Sequence, residues 1–327
     1  MIEIPAAHAF VPSVASSQGT NVVVVDNLPI EEYHDDLDSI SSSGLKTLIF
    51  QSPGHYKAAV DERRKLREEA LKAQAEQNAA AAGGDAGSEA KEEAKPKVAE
   101  ASLVDSSGTE ATNFGKAAHA LLLEPEEFRK LYVVMPKYDR RTKIGKENHA
   151  AFVRDHPGMN YVAQPEFDMM EKIILNISNH ALAKKLLDGS VKEQSIFWTD
   201  PRTGVRCRIR PDSRSSIAII DLKSTKDASR AGFKWEARKF GYDLSAAMYQ
   251  DGCFHAFGEE LPFAFLAAEK TGPCAVALYP ACAPMLEEGY SWYRKALDKF
   301  AWCLEHDKWP LYQDGTEYEE MEWVPRR

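Results

Sequence analysis

Two aspartates and a lysine stand close together in the second half of the chain, where apolar runs lead into charged residues. The sequence reads RIRPD up to Asp212 and then, after a short turn, IAIIDLKST, which contains Asp221 and Lys223. Side chains at i and i+2 of a β-strand share a face, so Asp221 and Lys223 are predicted to stand side by side while Leu222 turns into the core. An ordinary ion pair at a strand end is the alternative interpretation.

A metal site is the chemistry that this pattern favours. Mg²⁺ and Mn²⁺ take oxygen ligands, commonly carboxylates, water and substrate phosphate. Asp212 and Asp221, about nine residues apart on neighbouring strands, could converge on one ion. Lys223 could then position or help deprotonate an attacking water, or neutralise charge that develops on a phosphate.

Three predicted strands position these residues. They are EQSIFWTD, VRCRIRPD and IAIIDLKST, and the tight polar turns between them indicate an antiparallel meander in which Asp212 and Asp221 each end a strand. Two helices are predicted next, at about 229–239 and 243–257, followed by the strands PFAFLAAE and PCAVALYP and a helix at about 283–305. This order predicts an α/β fold with a mixed central β-sheet flanked by helices.

The organisation of the chain is predicted from shifts in composition. Residues 1–28 form a loosely ordered leader whose NVVVV run could be an edge strand, and residues 29–320 form a single domain. An Ala/Glu-rich insertion at about 69–107 has almost no large apolar residues and is predicted to be flexible, although its first part could continue a helix. Residues 321–327 are a C-terminal tail.

Composition limits the function classes. The chain has 327 residues, a net charge of −9 and a pI near 5.6, which argue against a non-specific nucleic-acid coat but permit an enzyme with a locally basic groove. Transmembrane and secretory-signal patterns are not found. The odd count of five cysteines without a CxxC pair predicts reduced thiols in a cytoplasm and argues against a zinc ribbon.

Several blocks of the sequence together resemble a known family. R-P-D, a short turn and IIDLKST look like the core motif of the PD-(D/E)XK nuclease superfamily, which has a restriction-endonuclease-like fold. Four blocks in order are similar to the RecE-type exonucleases (exonuclease VIII) of phage and prophage recombination. They are YH…ISSSGLK…SPGHY, GKAAHALLLEPEEF, SIFWTDPRTGVRCRIRPD…IIDLKST and FGYDLSAAMYQDG.

The resemblance implies roles for individual residues. His119 matches a helical histidine that binds metal, although a lone histidine on an apolar helix is otherwise explained by core packing. Asp212 and Asp221 match the two metal-binding acids, the Leu222 backbone carbonyl is expected to supply a further ligand, and Lys223 matches the catalytic lysine.

Other matches are weaker. The family commonly carries Q-x-x-x-Y on the helix after the lysine; here the tyrosine is Tyr249, a catalytic candidate, but Ser245 stands in the glutamine position and is too short to reach as far. Gln250 points about 100° away on a helix and is a poor substitute.

Four further residues are candidates for accessory roles or DNA contact. Glu193 could be an outer-sphere acid and Arg210 a phosphate contact, or both could be solvated charges at strand ends. Ser43 and Lys46 resemble part of a helix that approaches the DNA backbone, but helix capping explains the serine equally well.

The resemblance implies a Mg²⁺-dependent exonuclease, with Mn²⁺ as a substitute ion. It would degrade linear double-stranded DNA 5′→3′ and leave 3′ single-stranded overhangs for homologous recombination. It also implies a ring-shaped homo-oligomer, expected to be a tetramer, and a RecT-like single-strand annealing partner. An endonuclease and a catalytically silent DNA-end binding protein of the same fold are the alternatives; an iron–sulfur version lacks the required cysteine upstream of the core, because the first cysteine is Cys207.

Overall fold

The computed structural model describes residues 21–82 and 109–312. The described residues divide into two compact units, one made of 21–42 with 109–294 and the other of 43–82 with 295–312. The predictions for most of the leader, for the insertion beyond residue 82 and for the C-terminal tail lie outside the described residues. The prediction that 29–320 forms a single domain stays a prediction.

Ten strands occur within the described ranges. They are β1 (Val23–Val25), β2 (Tyr132–Met135), β3 (Asn160–Ala163), β4 (Val191–Lys192), β5 (Ser195–Thr199), β6 (Arg206–Ile209), β7 (Ser213–Arg214), β8 (Ile219–Thr225), β9 (Phe263–Glu269) and β10 (Val276–Pro280). Eleven helices accompany them within the same ranges. They are α1 (Ile30–Asp35), α2 (Ser42–Phe50), α3 (Pro53–Ala82), α4 (Thr109–Leu123), α5 (Pro125–Leu131), α6 (Lys143–Asp155), α7 (Gln164–Asn179), α8 (Ala181–Leu187), α9 (Arg230–Lys239), α10 (Tyr242–Phe257) and α11 (Ala283–His306).

The largest sheet of the first unit is five-stranded and mixed. Its order is β10-β9-β8-β7-β4, in which β8 and β9 run parallel and the other neighbours run antiparallel. β8 lies at the centre of this sheet and its residues are mostly buried. A strand in this position is held on both sides, so the side chains that it carries are fixed in direction.

A second sheet has the order β1-β5-β6, with antiparallel pairs. The NVVVV segment therefore supplies an edge strand, as expected. The predicted meander is only partly correct, because β6 ends at Ile209 and the chain re-enters strand structure as β7, in the five-stranded sheet. Pro211 explains the break: it has no N–H to donate and cannot continue the ladder of β6. Asp212 follows at the point where the chain passes from one sheet to the other.

Helices pack on both sheets: α4 and α7 contact strands of the five-stranded sheet, and α10 contacts β5 and β6 of the three-stranded sheet. The predictions at 229–239, 243–257 and 283–305 correspond closely to α9, α10 and α11, and Pro125 separates α4 from α5. One apolar cluster joins α4, α7 and α8 to β8 and β9; its largest buried members include Phe114, Met170, Ile173, Leu222 and Leu266. This cluster fixes α4 against the strand that carries Asp221 and Lys223.

The second unit consists of most of α2, of α3, and of the latter part of α11 with the residues after it. The Tyr56 ring packs at 5.2 Å from the Phe300 ring and at 6.1 Å from the Trp309 ring. Because α3 continues to Ala82, the first part of the predicted insertion is helical.

The cysteines and the helices of the described ranges bear on two further expectations. All five cysteines are free thiols, with Cys282 exposed and the other four buried. Among the helices of the described ranges, none is long and apolar enough to cross a membrane.

Candidate metal centre

β8 carries the first part of the site in its interior. Asp221 is the third residue of this strand and Lys223 the fifth, so the expectation that Asp221 ends its strand is wrong. Leu222 is buried in the apolar cluster, on the opposite face, as the alternation predicts. The Lys223 ammonium forms an ion pair with the Asp221 carboxylate, which is 3% exposed.

Asp212 meets β8 from the break between β6 and β7. Its Oδ2 accepts a hydrogen bond from the Leu222 N–H at 2.5 Å, and the residue is buried. Burial raises the pKa of Asp212; the nearby Asp221 carboxylate raises it further, while His119 and Lys223 oppose the rise. The carboxylates of Asp212 and Asp221 repel each other when both are ionised, so a positive charge between them would stabilise the pair.

His119 reaches the same point from α4. Its Nε2 lies 2.9 Å from the Leu222 carbonyl oxygen, and its Nδ1 lies 3.6 Å from Asp212 Oδ2. The helical histidine and the backbone carbonyl that were both expected to bind metal therefore meet in space. Core packing does not account for an imidazole placed between a carboxylate and a strand carbonyl.

Glu193 was an accessory candidate in the sequence, but its position among the possible metal ligands was not predicted. It follows the two-residue strand β4, and its N–H donates to the Asp212 carbonyl at 3.3 Å. His119, Glu193 and Asp212 each offer one ligand atom, and these atoms lie within 4.8 Å of one another. The outer-sphere role considered for Glu193 therefore understates its position. A direct ligand role fits the geometry better.

The surroundings of Glu193 raise and lower the pKa of its carboxyl group at the same time. Burial and the neighbouring Asp212 raise its pKa to about 7, against the lowering effect of His119 and Arg210. Positive charge placed among these residues would favour the ionised carboxylate.

Arg210 forms a hydrogen-bonded ion pair with Glu193. Its Nε donates to Glu193 Oε2 at 2.8 Å, and its Nη1 donates to the Leu28 carbonyl at 2.7 Å and to Ser195 Oγ at 3.3 Å. Nη2 lies 3.7 Å from Glu124 Oε1, and the side chain is only 5% exposed. A buried guanidinium already directed at protein acceptors is a poor candidate for contact with phosphate. The arrangement favours positioning of Glu193.

Lys223 is held in its charged form. Burial alone would lower its pKa, but Asp221 and Asp212 outweigh that effect and keep the pKa above its ordinary value. Its Nζ also lies 5.2 Å from the centre of the Tyr242 ring, a cation–π distance. Of the roles considered for this lysine, charge neutralisation fits these surroundings better than proton abstraction.

α10 contributes Tyr249 and Ser245. Burial and the charges of Asp221, Asp212 and Glu193 raise the pKa of Tyr249 well above its ordinary value, so the phenol is neutral and can donate a hydrogen bond. Ser245 is buried one turn earlier on the same helix. The Gln250 amide donates to the Leu261 carbonyl at 2.7 Å, so it is already bonded elsewhere.

Ser43 and Lys46 lie on α2, whose residues from Ser43 onward belong to the second unit. Their suggested part in DNA contact stays a prediction.

The donor set suits a hard divalent cation. Two carboxylates and one imidazole converge within 4.8 Å, and the Leu222 carbonyl points at the same group. Mg²⁺ and Mn²⁺ accept such mixed oxygen-rich sets, and no cysteine contributes a sulfur ligand to the group. His119, Glu193 and Asp212, with Asp221 beside them, could therefore hold a divalent metal.

Comparison with known proteins identifies the fold and the family of the chain. A family model described as a PDDEXK-like domain of unknown function (DUF3799) matches residues 84–322. No curated protein matches the sequence. A crystal structure from Eubacterium rectale, provisionally described as an exonuclease, is similar with a TM-score of 0.51 and 16% identity, over 93% of this chain and 97% of that chain. At that identity the likeness shows the fold alone, and the predicted fold class is confirmed. The chain belongs to the PDDEXK-like family DUF3799.

Proposed function

We propose that this protein is a metal-dependent nuclease, and specifically a RecE-like exonuclease that degrades linear double-stranded DNA from its 5′ ends. One observation carries the proposal: His119, Glu193 and Asp212 converge beside the Asp221–Lys223 ion pair of β8. A structural ion pair alone would not require three further ligand groups at the same point.

The chain's own residues have distinct tasks in this proposal. His119, Glu193 and Asp212 would hold a divalent cation, and Asp221 and the Leu222 carbonyl are further candidate ligands. When bound, the cation supplies positive charge to phosphate oxygens and makes a water more acidic. Arg210 keeps Glu193 in place through the 2.8 Å bond.

Lys223 and Tyr249 act as donors towards the reacting phosphate. The ammonium of Lys223 is kept protonated by Asp221 and Asp212, so it stabilises negative charge as it develops. The neutral phenol of Tyr249 can donate to a phosphate oxygen. Ser245 occupies the position of the family's glutamine with a shorter side chain, and it has no assigned role in the proposed reaction.

The finer features of the proposal are supported by the four sequence blocks that resemble RecE-type enzymes. They are Mg²⁺ as the working ion, 5′→3′ polarity, a 3′ single-stranded product for recombination, and a RecT-like annealing protein that binds that product. The provisional exonuclease description of the Eubacterium rectale protein is consistent with exonuclease activity.

Polarity and substrate form can be tested with end-labelled DNA. Linear duplex labelled at the 5′ end should lose its label with Mg²⁺ before label at the 3′ end is released, and closed circular duplex should stay intact. Asp221→Ala should abolish the reaction. Cleavage of the closed circle would indicate an endonuclease, and equal behaviour of wild type and Asp221→Ala would contradict a nuclease at this site.

A further inference from the structure

α9 is attached firmly to the strand that carries the proposed catalytic lysine. β8 ends at Thr225, and α9 begins five residues later. The Thr225 hydroxyl donates to Glu236 Oε2 on α9 at 2.6 Å. In the connecting loop, the Ala228 carbonyl accepts from the Tyr279 hydroxyl at 2.7 Å. The helix therefore has a fixed position relative to β8.

A layer of aromatic rings joins the inner face of α9 to Lys223. The Phe233 ring stacks on the Tyr279 ring at 5.5 Å and lies 5.7 Å from the Phe265 ring and 6.1 Å from the Tyr242 ring. The Tyr242 ring in turn lies 5.2 Å from Lys223 Nζ. One residue layer thus separates the helix from the candidate site.

The outer face of α9 combines an indole with cations. Trp235 is 73% exposed, and it lies about 200° around the helix from the buried Phe233, since each residue turns about 100°. Lys234, Arg238 and Lys239 are exposed and lie within about 100° of Trp235. In the part of the chain that the structure describes, no carboxylate forms an ion pair with any of these three side chains.

The chemistry of this face favours one class of partner. Lys234, Arg238 and Lys239 make this face locally positive, although the chain as a whole has a net charge of −9. Single-stranded nucleic acids are bound by this combination, in which bases stack on aromatic rings and cations follow the phosphates. In a duplex the bases already stack on each other, whereas an unpaired base has a free face for the indole. An acidic peptide would use the cations but not the indole.

We propose that the outer face of α9 binds the single-stranded part of the DNA at the active site, with Trp235 stacking on a base. Lys234, Arg238 and Lys239 contact the adjoining phosphates. This inference rests on the proposed function, because it takes the substrate or product of that reaction as the ligand. It adds a surface beyond the metal centre that distinguishes unpaired DNA from duplex.

Binding without turnover tests the proposal. Fluorescence anisotropy of a labelled oligodeoxythymidylate is measured with the full chain and no divalent metal, so that no cleavage occurs. Trp235→Ala should weaken binding by between about fivefold and about a hundredfold, the range that loss of one stacked base gives. Trp235→Phe should keep most of the affinity because it keeps an aromatic ring.

Trp302→Ala is the matched control. Trp302 is also exposed, at 43%, but its helical neighbours include Asp298 and Glu305, so its loss should leave binding unchanged. Circular dichroism checks that each variant is folded.

Equal binding by wild type and Trp235→Ala would overturn the inference. So would Trp235-dependent binding to anionic lipid vesicles without binding to the oligonucleotide. The result is separable from the proposed function, because digestion of labelled duplex by the wild type is scored independently. A wild type that digests duplex while Trp235→Ala binds normally overturns this inference alone.

Discussion

Glu193 has a left-handed backbone conformation that residues other than glycine rarely adopt. Its φ is 49°, and its N–H and carboxylate are bonded to the Asp212 carbonyl and to Arg210 respectively. Such a conformation is unfavourable by about 1 kcal/mol or more and persists only where the surroundings determine it. These two hydrogen bonds hold the backbone and the carboxylate of Glu193, which offers a ligand atom within 4.8 Å of those of His119 and Asp212.

Arg210→Met should destabilise the fold by about 3 kcal/mol, because the change leaves the buried carboxylate of Glu193 without its partner. The measurement is urea unfolding of the metal-free protein. Arg206→Met is the control: its side chain is 53% exposed and lies 3.7 Å from Asp36, so its loss should cost less than about 1 kcal/mol. Equal costs for the two variants would contradict the buried role of Arg210.

Asp200 gives a pH dependence that is separate from the metal centre. Burial would raise its pKa, but hydrogen bonds from Arg294 and Thr203 outweigh that effect and leave the pKa below its ordinary value. The lowered pKa stabilises the fold at every pH above the unfolded value of about 4, and this stability is lost as pH falls through the folded pKa.

Asp200→Asn should therefore be less stable than wild type at pH 7, and the difference should narrow below about pH 4. Urea midpoints at pH 7, 4 and 3 measure it. Asp61→Asn removes an exposed pair with Lys57 and should change stability little at any pH. A wild-type advantage over Asp200→Asn that stays constant down to pH 3 would contradict the ion-pair explanation.

At the scale of elements, the sequence predicted best where periodicity was clear. The opposite faces of Leu222 and Lys223, the helix bounds of α9 to α11 and the edge strand β1 followed from alternation and helical spacing. The approach of His119 to β8 did not follow from spacing and came only with the resemblance. Contacts between residues 103 positions apart have no local signal.

Glu193 and Asp212 were both candidates in the sequence, but the short strands next to them were not predicted. β4 and β7 are two residues long, too short for a period of two to be detected. Pro211 was the one visible sign that the strand before Asp212 would break. The pairing of β7 with β8 is what brings Asp212 to the Leu222 N–H.

Gly252 allows α10 to pack against the three-stranded sheet. A Cβ at this position would lie 2.6 Å from Ile209 Cδ1 and 2.8 Å from Trp198 Cζ3, and both neighbours are fully buried. Helix propensity favours alanine by about 1 kcal/mol, but overpacking costs about 1–3 kcal/mol. Gly252→Ala should therefore lower the free energy of unfolding.

A double-mutant cycle identifies the cause. Ile209→Val removes the Cδ1 atom that the new methyl group would meet, so it should cost less in the Gly252→Ala background than in the wild type. Strict additivity of the two changes in urea unfolding would contradict steric overlap with Ile209.

At the scale of the whole molecule, we propose the ring-shaped tetramer that the family resemblance implies. Light scattering after size-exclusion chromatography should give a mass near four times the 36.5 kDa of one chain. A monomer at all concentrations, with and without linear duplex, would contradict the ring.

The nuclease proposal depends on Glu193 being a ligand of the metal centre. The most direct test is the rate of Mg²⁺-dependent degradation of linear duplex DNA by Glu193→Gln, with the exposed Glu259→Gln as control. The account predicts that Glu193→Gln loses at least about 100-fold in rate, since even the supports of metal ligands are worth 10–100-fold, while Glu259→Gln matches the wild type. A Glu193→Gln variant that degrades DNA at the wild-type rate would contradict the account.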